Sequence, residues 1–298
     1  MIDEIDNTYK EIENKILSHE IYQSAKDYSK AKEKVSTYLE IGELLKKADT
    51  NYGKNVIEDY SKRLTIKFGK KYTVSLLYKI KQFYNLIQKV PTMSGKLTWS
   101  HWYEMLSFED VGKIIYYANQ CIIYNLDVRS LRKKIKSEEY ERLPQITKEK
   151  IVTKENMVVI DYIKNPIYIK SKDEKDISEK MLRQLILEDI STFLKELGQG
   201  FTFIDSEYKI KIDDRYNYID LFLYNIKYKC YVVVELKVTE LKKEHTGQIM
   251  TYMNYIDKNI KTNNENDTVG IIICRENNEY VIKYCTDERI IARTYKLV

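Results

Sequence analysis

The sequence predicts an α+β/α chain: an all-α region over residues 1–145, a connecting segment over 146–176, and an α/β region with a central mixed sheet over 177–298. Three observations carry this. Apolar residues recur at helical spacing through the first half, as in Tyr38, Ile41, Leu44 and Leu45, then Leu76, Ile80, Phe83, Tyr84 and Ile87. The three prolines, Pro91, Pro144 and Pro166, fall at the joints between patterned stretches. Beyond Pro166 the grammar changes to short runs rich in β-branched and aromatic residues.

Several helices fill the stretch from Tyr9 to Gln88, with Gly42, Gly53 and Gly69 as breaks. LTWSHWYEML (97–106), IIYYANQCIIYN (114–125) and VRSLRKKI (128–135) continue the helical pattern. The connecting segment is polar and ends in the charged run SKDEKD (171–176). One helix is expected over 178–197, stopped by Gly198 in the C-terminal glycine position. Strands are expected at FTFID (201–205), YKIKI (208–212), YIDLFLY (218–224) and CYVVVEL (230–236), with DDRYN and NIKYK as hairpin turns. A second helix, about 242–261, precedes strands at VGIIIC (269–274), EYVIKY (279–284) and Ala292–Leu297.

A chain of 298 residues with 32% charged and 43% hydrophobic residues is neither a disordered tail nor a membrane protein. No stretch approaches the ~18 consecutive apolar residues of a membrane span. The N-terminus is acidic where a signal peptide is basic and then apolar, so a cytoplasmic location is expected. Cys121, Cys230, Cys274 and Cys285 show no C-x-x-C spacing and have only three histidines to complement them, which argues for reduced thiols and against a structural zinc site. The net charge of +5 is uneven: residues 51–100 hold ten Lys/Arg against Glu58 and Asp59, Lys54 among them. Lys62, Arg63, Lys70 and Lys71 of this block are candidate nucleic-acid contacts, since each neutralised phosphate releases counterions; a solvated lysine-rich helix face is the alternative.

The chemistry concentrates in two strands. Alternation projects Glu235 and Lys237 from one face of VVVELKV, an otherwise apolar strand in which charges are costly without partners or water. Pairing of 218–224 with 230–236 brings Asp220 beside Glu235. Two carboxylates and an ammonium at one strand edge suit Mg²⁺ or Mn²⁺, with Lys237 free to orient a water. The alternative is a plain ion pair within a sheet. Gln248 and Tyr252 share one face of the following helix at i and i+4, and Glu188 lies on the helix before the strands. His245 starts the helix of Gln248 and reads equally as a site neighbour or a solvent-facing residue. Trp99, His101 and Trp102 are read as helix packing, and no site is placed there.

With these residues the sequence resembles the PD-(D/E)XK nuclease superfamily. Its α-β-β-β-α-β core carries an acid on the second strand, E-x-K on the third, an acid on the first helix and, in the RecB-like branch, Q-x-x-x-Y on the second. The matching positions are Asp220, Glu235-Leu236-Lys237, Glu188, and Gln248 with Tyr252; Ile219 stands where the superfamily has its proline. Asp189 and Glu179 compete with Glu188 for the helix acid. Together with YLEIGELL (38–45), FGKKYTVSLLYKIKQFY (68–84), LTWSHWYEML and FLKELGQGFTFI (193–204), the chain is similar to YhcG-type bacterial proteins, in which a helical domain precedes such a nuclease domain.

The resemblance implies a PD-(D/E)XK restriction-endonuclease-like domain that hydrolyses DNA phosphodiester bonds, branched or recombination intermediates included. It implies that Asp220, Glu235, the Leu236 carbonyl and Glu188 hold Mg²⁺ (or Mn²⁺), that Lys237 orients the attacking water, and that Gln248 and Tyr252 position the substrate. DNA is the expected partner, no membrane is expected, and a homo-oligomer is left open. Two other readings stand beside it: a catalytically silent DNA- or protein-binding module on a nuclease scaffold, and a helix-turn-helix regulator using the 51–100 block.

Overall fold

The computed structural model describes residues 2–24, 30–53, 55–171, 177–284 and 287–298; Lys54, Cys285 and most of the 171–176 charged run lie outside them. The chain divides into two compact units, Met1–Tyr140 and Glu141–Val298.

The first unit is all-α: α1 (Ile2–Ser24), α2 (Lys30–Tyr52), α3 (Asn55–Phe68), α4 (Val74–Lys89), α5 (Trp99–Met105), α6 (Val111–Tyr124) and α7 (Val128–Lys136). Its core follows the helical stripe read from the sequence, with Ile41 and Leu45 of α2 and Ile80 and Phe83 of α4 almost fully buried; near the start of α4 it is Leu77 that is buried, while the expected Leu76 is half-buried. Gly42 lets α2 and α4 approach, because a Cβ there would lie 2.7 Å from both the Ile80 carbonyl oxygen and the Tyr84 Cβ. Thr73, Asp110 and Asp127 cap α4, α6 and α7 by accepting from free backbone N–H groups of the first turn. The Trp99 ring meets Tyr38 and Phe83 edge-on at 4.8 and 5.4 Å, and Trp102 is fully buried. His101 accepts from the Thr98 hydroxyl through Nδ1 (2.7 Å) and donates to the Leu126 carbonyl through Nε2 (2.9 Å). That cluster is packing, with both ring nitrogens satisfied.

The second unit holds a six-stranded mixed sheet in the order β1-β6-β5-β4-β3-β2. Its elements are α8 (Gln145–Thr153), β1 (Ile167–Ile169), α9 (Glu179–Glu188), α10 (Ile190–Leu197), β2 (Phe201–Ile212), β3 (Arg215–Asn225), β4 (Cys230–Glu240), α11 (Lys243–Asn259), β5 (Asn266–Glu276), α12 (Glu279–Lys283) and β6 (Ile290–Leu297). β2, β3 and β4 are antiparallel; β4, β5, β6 and β1 run parallel. Valines of β4 alternate between two buried layers, as expected of a strand covered on both faces. Val232, Val234 and Leu236 pack with Leu182, Ile186, Phe193 and Leu197 of α9 and α10. Val233 packs on the other side with Ile249, Met253 and Ile256 of α11.

Four expectations need correction. The helix expected over 178–197 breaks at Asp189 (φ −134°, ψ 53°), which ends α9 and caps α10 by accepting from Thr192 N at 3.3 Å. The two strands expected at 201–205 and 208–212 are one strand, β2, with a register shift between Phe203 and Asp205 that absorbs the irregular pattern. EYVIKY, expected as a strand, forms α12, because Asn278 caps it by accepting from Val281 N. The stretch 146–176, expected as a connecting segment, contains most of α8 and all of β1, which pairs with β6 from Ile167–Tyr295 to Ile169–Leu297. Among the described residues no helix is long and apolar enough to cross a membrane.

Candidate active site

The antiparallel ladder between β3 and β4 runs from Asn225–Cys230 to Leu221–Val234 and stops. One step further would set Asp220 opposite Glu235, so the two carboxylates stand where the strands part. Backbone pairing gives way there to a side-chain bond, with Leu236 N donating to Asp220 Oδ2 at 2.9 Å. The other oxygen, Oδ1, accepts from Arg183 Nη1 of α9 at 2.8 Å. Arg183 Nη2 donates to Glu207 Oε1 of β2 at 2.7 Å. Glu207 sits between Ser206, paired with Leu221, and Tyr208, paired with Ile219, and so lies across from Asp220; its φ of +52° is uncommon for a non-glycine residue.

Glu235 is 2% exposed. Its Oε1 accepts from Lys237 Nζ at 2.8 Å, while Oε2 is buried with no hydrogen-bond partner among the described residues. Burial first, and then the neighbouring Asp220 charge, push this carboxyl up to about 7, against the opposing pull of Lys237. Burial also works against the Lys237 charge, but the hydrogen bond and charge of Glu235, helped by Glu179 and Asp220, outweigh it and hold the ammonium above its ordinary pKa. Glu179 Oε2, in the first turn of α9, lies 3.6 Å from Lys237 Nζ.

From the other face, α11 contributes Gln248, whose Nε2 donates to Tyr252 Oη at 2.9 Å. Tyr252 is buried, and burial raises its pKa. His245 Nδ1 accepts from Lys242 N at 3.1 Å, which leaves the ring proton on Nε2; burial and then the Lys237 charge lower its pKa, so the ring is neutral.

The structure thus brings together Asp220, Glu235, Leu236 and Lys237, with the Gln248–Tyr252 pair on the adjoining helix. Glu188 is not brought there. It follows Glu179 by nine residues, about half a turn out of phase at ~100° per residue, and lines a separate groove of about 660 Å³ with Lys170, Gln184 and Asp189. Sequence reasoning passed over Arg183 and Glu207 and set Glu179 behind Glu188. Glu179 and Arg183 are an i, i+4 pair flanking the buried stripe of Leu182 and Ile186, so helical phase would have put both on the sheet-facing side of α9, though not at the strand fork. In the first unit, Lys62, Lys70 and Lys71 are exposed, whereas the Arg63 guanidinium lies 3.7 Å from the Tyr9 ring centroid and is half-buried.

Among the described residues no three His, Cys, Asp or Glu side chains are clustered for a metal ion. The donor set nevertheless fits a hard divalent cation that keeps several waters: two carboxylates face one fork, and the buried Glu235 Oε2 has an unfilled acceptor site. The thiols of Cys121, Cys230 and Cys274 are free, buried and pushed up to about 11 by burial, so they take no part.

Residues 158–298 match the YhcG PDDEXK nuclease domain and residues 7–142 the DUF1016 N-terminal domain. A protein of Escherichia coli (strain K12) named "Putative nuclease YhcG" is 23% identical over 81% of this chain and 76% of its own length. Two solved structures align with part of the chain. One is a repair endonuclease from Pyrococcus abyssi (18% identity, TM-score 0.30, 42% of this chain and 49% of that one). The other is an EndoMS complex with double-stranded DNA (16% identity, TM-score 0.31, 42% of this chain and 48% of that one), so the chain spans about half of each. The chain thus joins a DUF1016 N-terminal domain over residues 7–142 to a YhcG PDDEXK nuclease domain over residues 158–298, the second holding Asp220 and Glu235 at the β3–β4 fork.

Proposed function

We propose that the chain is a divalent-metal-dependent endonuclease that hydrolyses DNA phosphodiester bonds at the β3–β4 fork. The observation that carries this is the buried, unpartnered Glu235 Oε2 beside Asp220 and Lys237. A bound Mg²⁺ or Mn²⁺ would supply charge neutralisation at the phosphate and a more acidic water. Asp220 and Glu235, with the Leu236 carbonyl, would hold it. Lys237, tied to Glu235 and close to Glu179, keeps its proton and directs an N–H toward the attacking water or a phosphate oxygen. Glu179 replaces Glu188 as the acid that α9 brings to this chemistry. Gln248 fixes the Tyr252 hydroxyl, and the pair orients the substrate backbone on the α11 side. Neutral His245, with its proton on Nε2, is a hydrogen-bond donor at the same rim.

A second reading, a silent binding module, draws on one observation: Arg183 already neutralises Asp220 and Lys237 already neutralises Glu235. Incubation of the purified chain with duplex, single-stranded and branched DNA, in Mg²⁺, Mn²⁺ or chelator, separates the two. Cleavage that needs metal and disappears in Asp220→Asn is expected. Undiminished cleavage in chelator would overturn the proposal, and no cleavage of any substrate in either metal would favour the silent module.

A further inference from the structure

α6 and α7 are joined by three residues, Asn125, Leu126 and Asp127. Asn125 takes the left-handed conformation (φ 48°, ψ 47°) that ends α6, and Asp127 caps α7 by accepting from Ser130 N at 2.7 Å. The turn is tied down by the hydrogen bond from His101 to the Leu126 carbonyl. α7 is held by its inner side: Leu131 is fully buried, Tyr117 Oη donates to the Lys134 carbonyl at 3.3 Å, and Lys134 turns back to Glu139 at 2.9 Å. Its outer side carries Arg129, Arg132, Lys133 and Lys136, all exposed. At 3.6 residues per turn these four fall within an arc of about 100°. Arg132 reaches Glu104 of α5 at 2.7 Å; the other three make no side-chain hydrogen bond or ion pair among the described residues.

A solvated basic helix is the plain alternative, and it accounts for only part of this stripe. Lys133 and Lys136 sit in the last turn, where the helix dipole favours cations. Arg129 sits in the first turn, where the dipole opposes it. In the basic block of 51–100, Arg63 is engaged with Tyr9 and Asp59, while Lys62, Lys70 and Lys71 are exposed and serve as the comparison surface.

We propose that α6, the Asn125–Asp127 turn and α7 form a helix-turn-helix whose second helix lies in the major groove of duplex DNA. Arg129, near the start of α7, reaches base edges, and Lys133 and Lys136 contact the phosphates beside the groove. The proposal rests on reading DNA as the substrate and is independent of the cleavage chemistry.

The test is binding of the full chain to a labelled duplex, and to one of its single strands, in chelator over a range of salt. Exchanging Arg129, Lys133 and Lys136 together for Gln is expected to weaken duplex binding roughly tenfold or more at ~0.1 M salt and to flatten the log–log salt slope by about 2–3. A variant with Lys62, Lys70 and Lys71 exchanged for Gln, equal in charge lost, should shift markedly less. Duplex should also protect Lys133 and Lys136 of the unaltered protein from acetylation, a readout that needs no variant to fold. Equal losses in the two variants, unchanged slope in the first, absent protection, or preference for the single strand would each overturn the proposal. If the wild type binds no DNA at low salt, the DNA reading of the active site falls with it; in the other cases that reading stands.

Discussion

Arg183 holds Asp220 and Glu207 with the two arms of one guanidinium, at 2.8 and 2.7 Å. A carboxylate proposed to bind a metal therefore already has a cationic partner. Arg183→Gln should lower stability in chelator by about 1–3 kcal/mol, since it leaves Asp220, only 14% exposed, without that partner. Millimolar Mn²⁺ should restore more stability to the variant than to the wild type, because an ion that binds the native state stabilises it. Thermal melts with and without metal check both statements; a deficit of the same size in both conditions would detach Arg183 from the metal site.

Removal of the central groups should silence the chemistry and spare the fold. Asp220→Asn and Lys237→Ala are each expected to cut cleavage of plasmid DNA by roughly 100-fold or more, on the scale of losing an electrostatic group that acts at the transition state. Circular dichroism and duplex binding should stay near wild type, and loss of the folded signal would void the comparison.

The two acids of α9 should behave differently. Glu179→Ala, losing a carboxylate 3.6 Å from the Lys237 ammonium, should slow cleavage by about tenfold, a change near 1.4 kcal/mol in the barrier. Glu188→Ala should stay within about threefold of wild type, because Glu188 faces the separate groove. Single-turnover rates measure both, and the reverse ranking would return Glu188 to the site.

Glu235 sets a pH dependence. Its folded pKa of about 7 lies above the ordinary 4.5, so between those values the native state binds a proton that the unfolded state lacks. Stability contributed by this group is full below pH 4.5 and is lost as the pH rises through 7. Glu235→Gln should abolish that loss, gaining on the wild type by on the order of 3 kcal/mol between pH 4.5 and pH 8 in chelator. Metal binding runs the other way, since it needs the ionised carboxylate: apparent affinity should fall about tenfold per pH unit below 7 and level off above it. Denaturant titrations and calorimetric metal titrations read the two trends.

The strand half of the site was legible because its determinants are local. Alternation places Glu235 and Lys237 on one face, and a short hairpin turn fixes the register that brings Asp220 alongside. Helical spacing put Gln248 and Tyr252 on one face of their helix, where they are hydrogen-bonded, while their assignment to the site came from the resemblance to the RecB-like branch. What was missed depends on long-range placement. Arg183 lies 37 positions from Asp220 and Glu207 another 13 back, and no periodicity says which end of α9 meets the strand fork. The phase of that helix was misjudged because Asp189 interrupts it, and a stretch read as one continuous helix carries its polar face past the break. EYVIKY has strand composition, and the cap from Asn278 overrides it.

β1, only three residues long, finds its pairing partner in β6, more than 120 residues later. Neither strand can satisfy its edge until the intervening chain has been made and folded around β4 and β5. The parallel half of the sheet therefore closes late, and contacts so distant in sequence slow folding, because the entropy of closing the intervening chain is lost before they form. On a ribosome, the antiparallel β2–β3–β4 meander and its three acids would take shape first, exposing one flank of β4 until β5 emerges. Newly made chains would pass through an interval in which that flank is open to other strands, a consequence of setting these acids on a centrally parallel sheet.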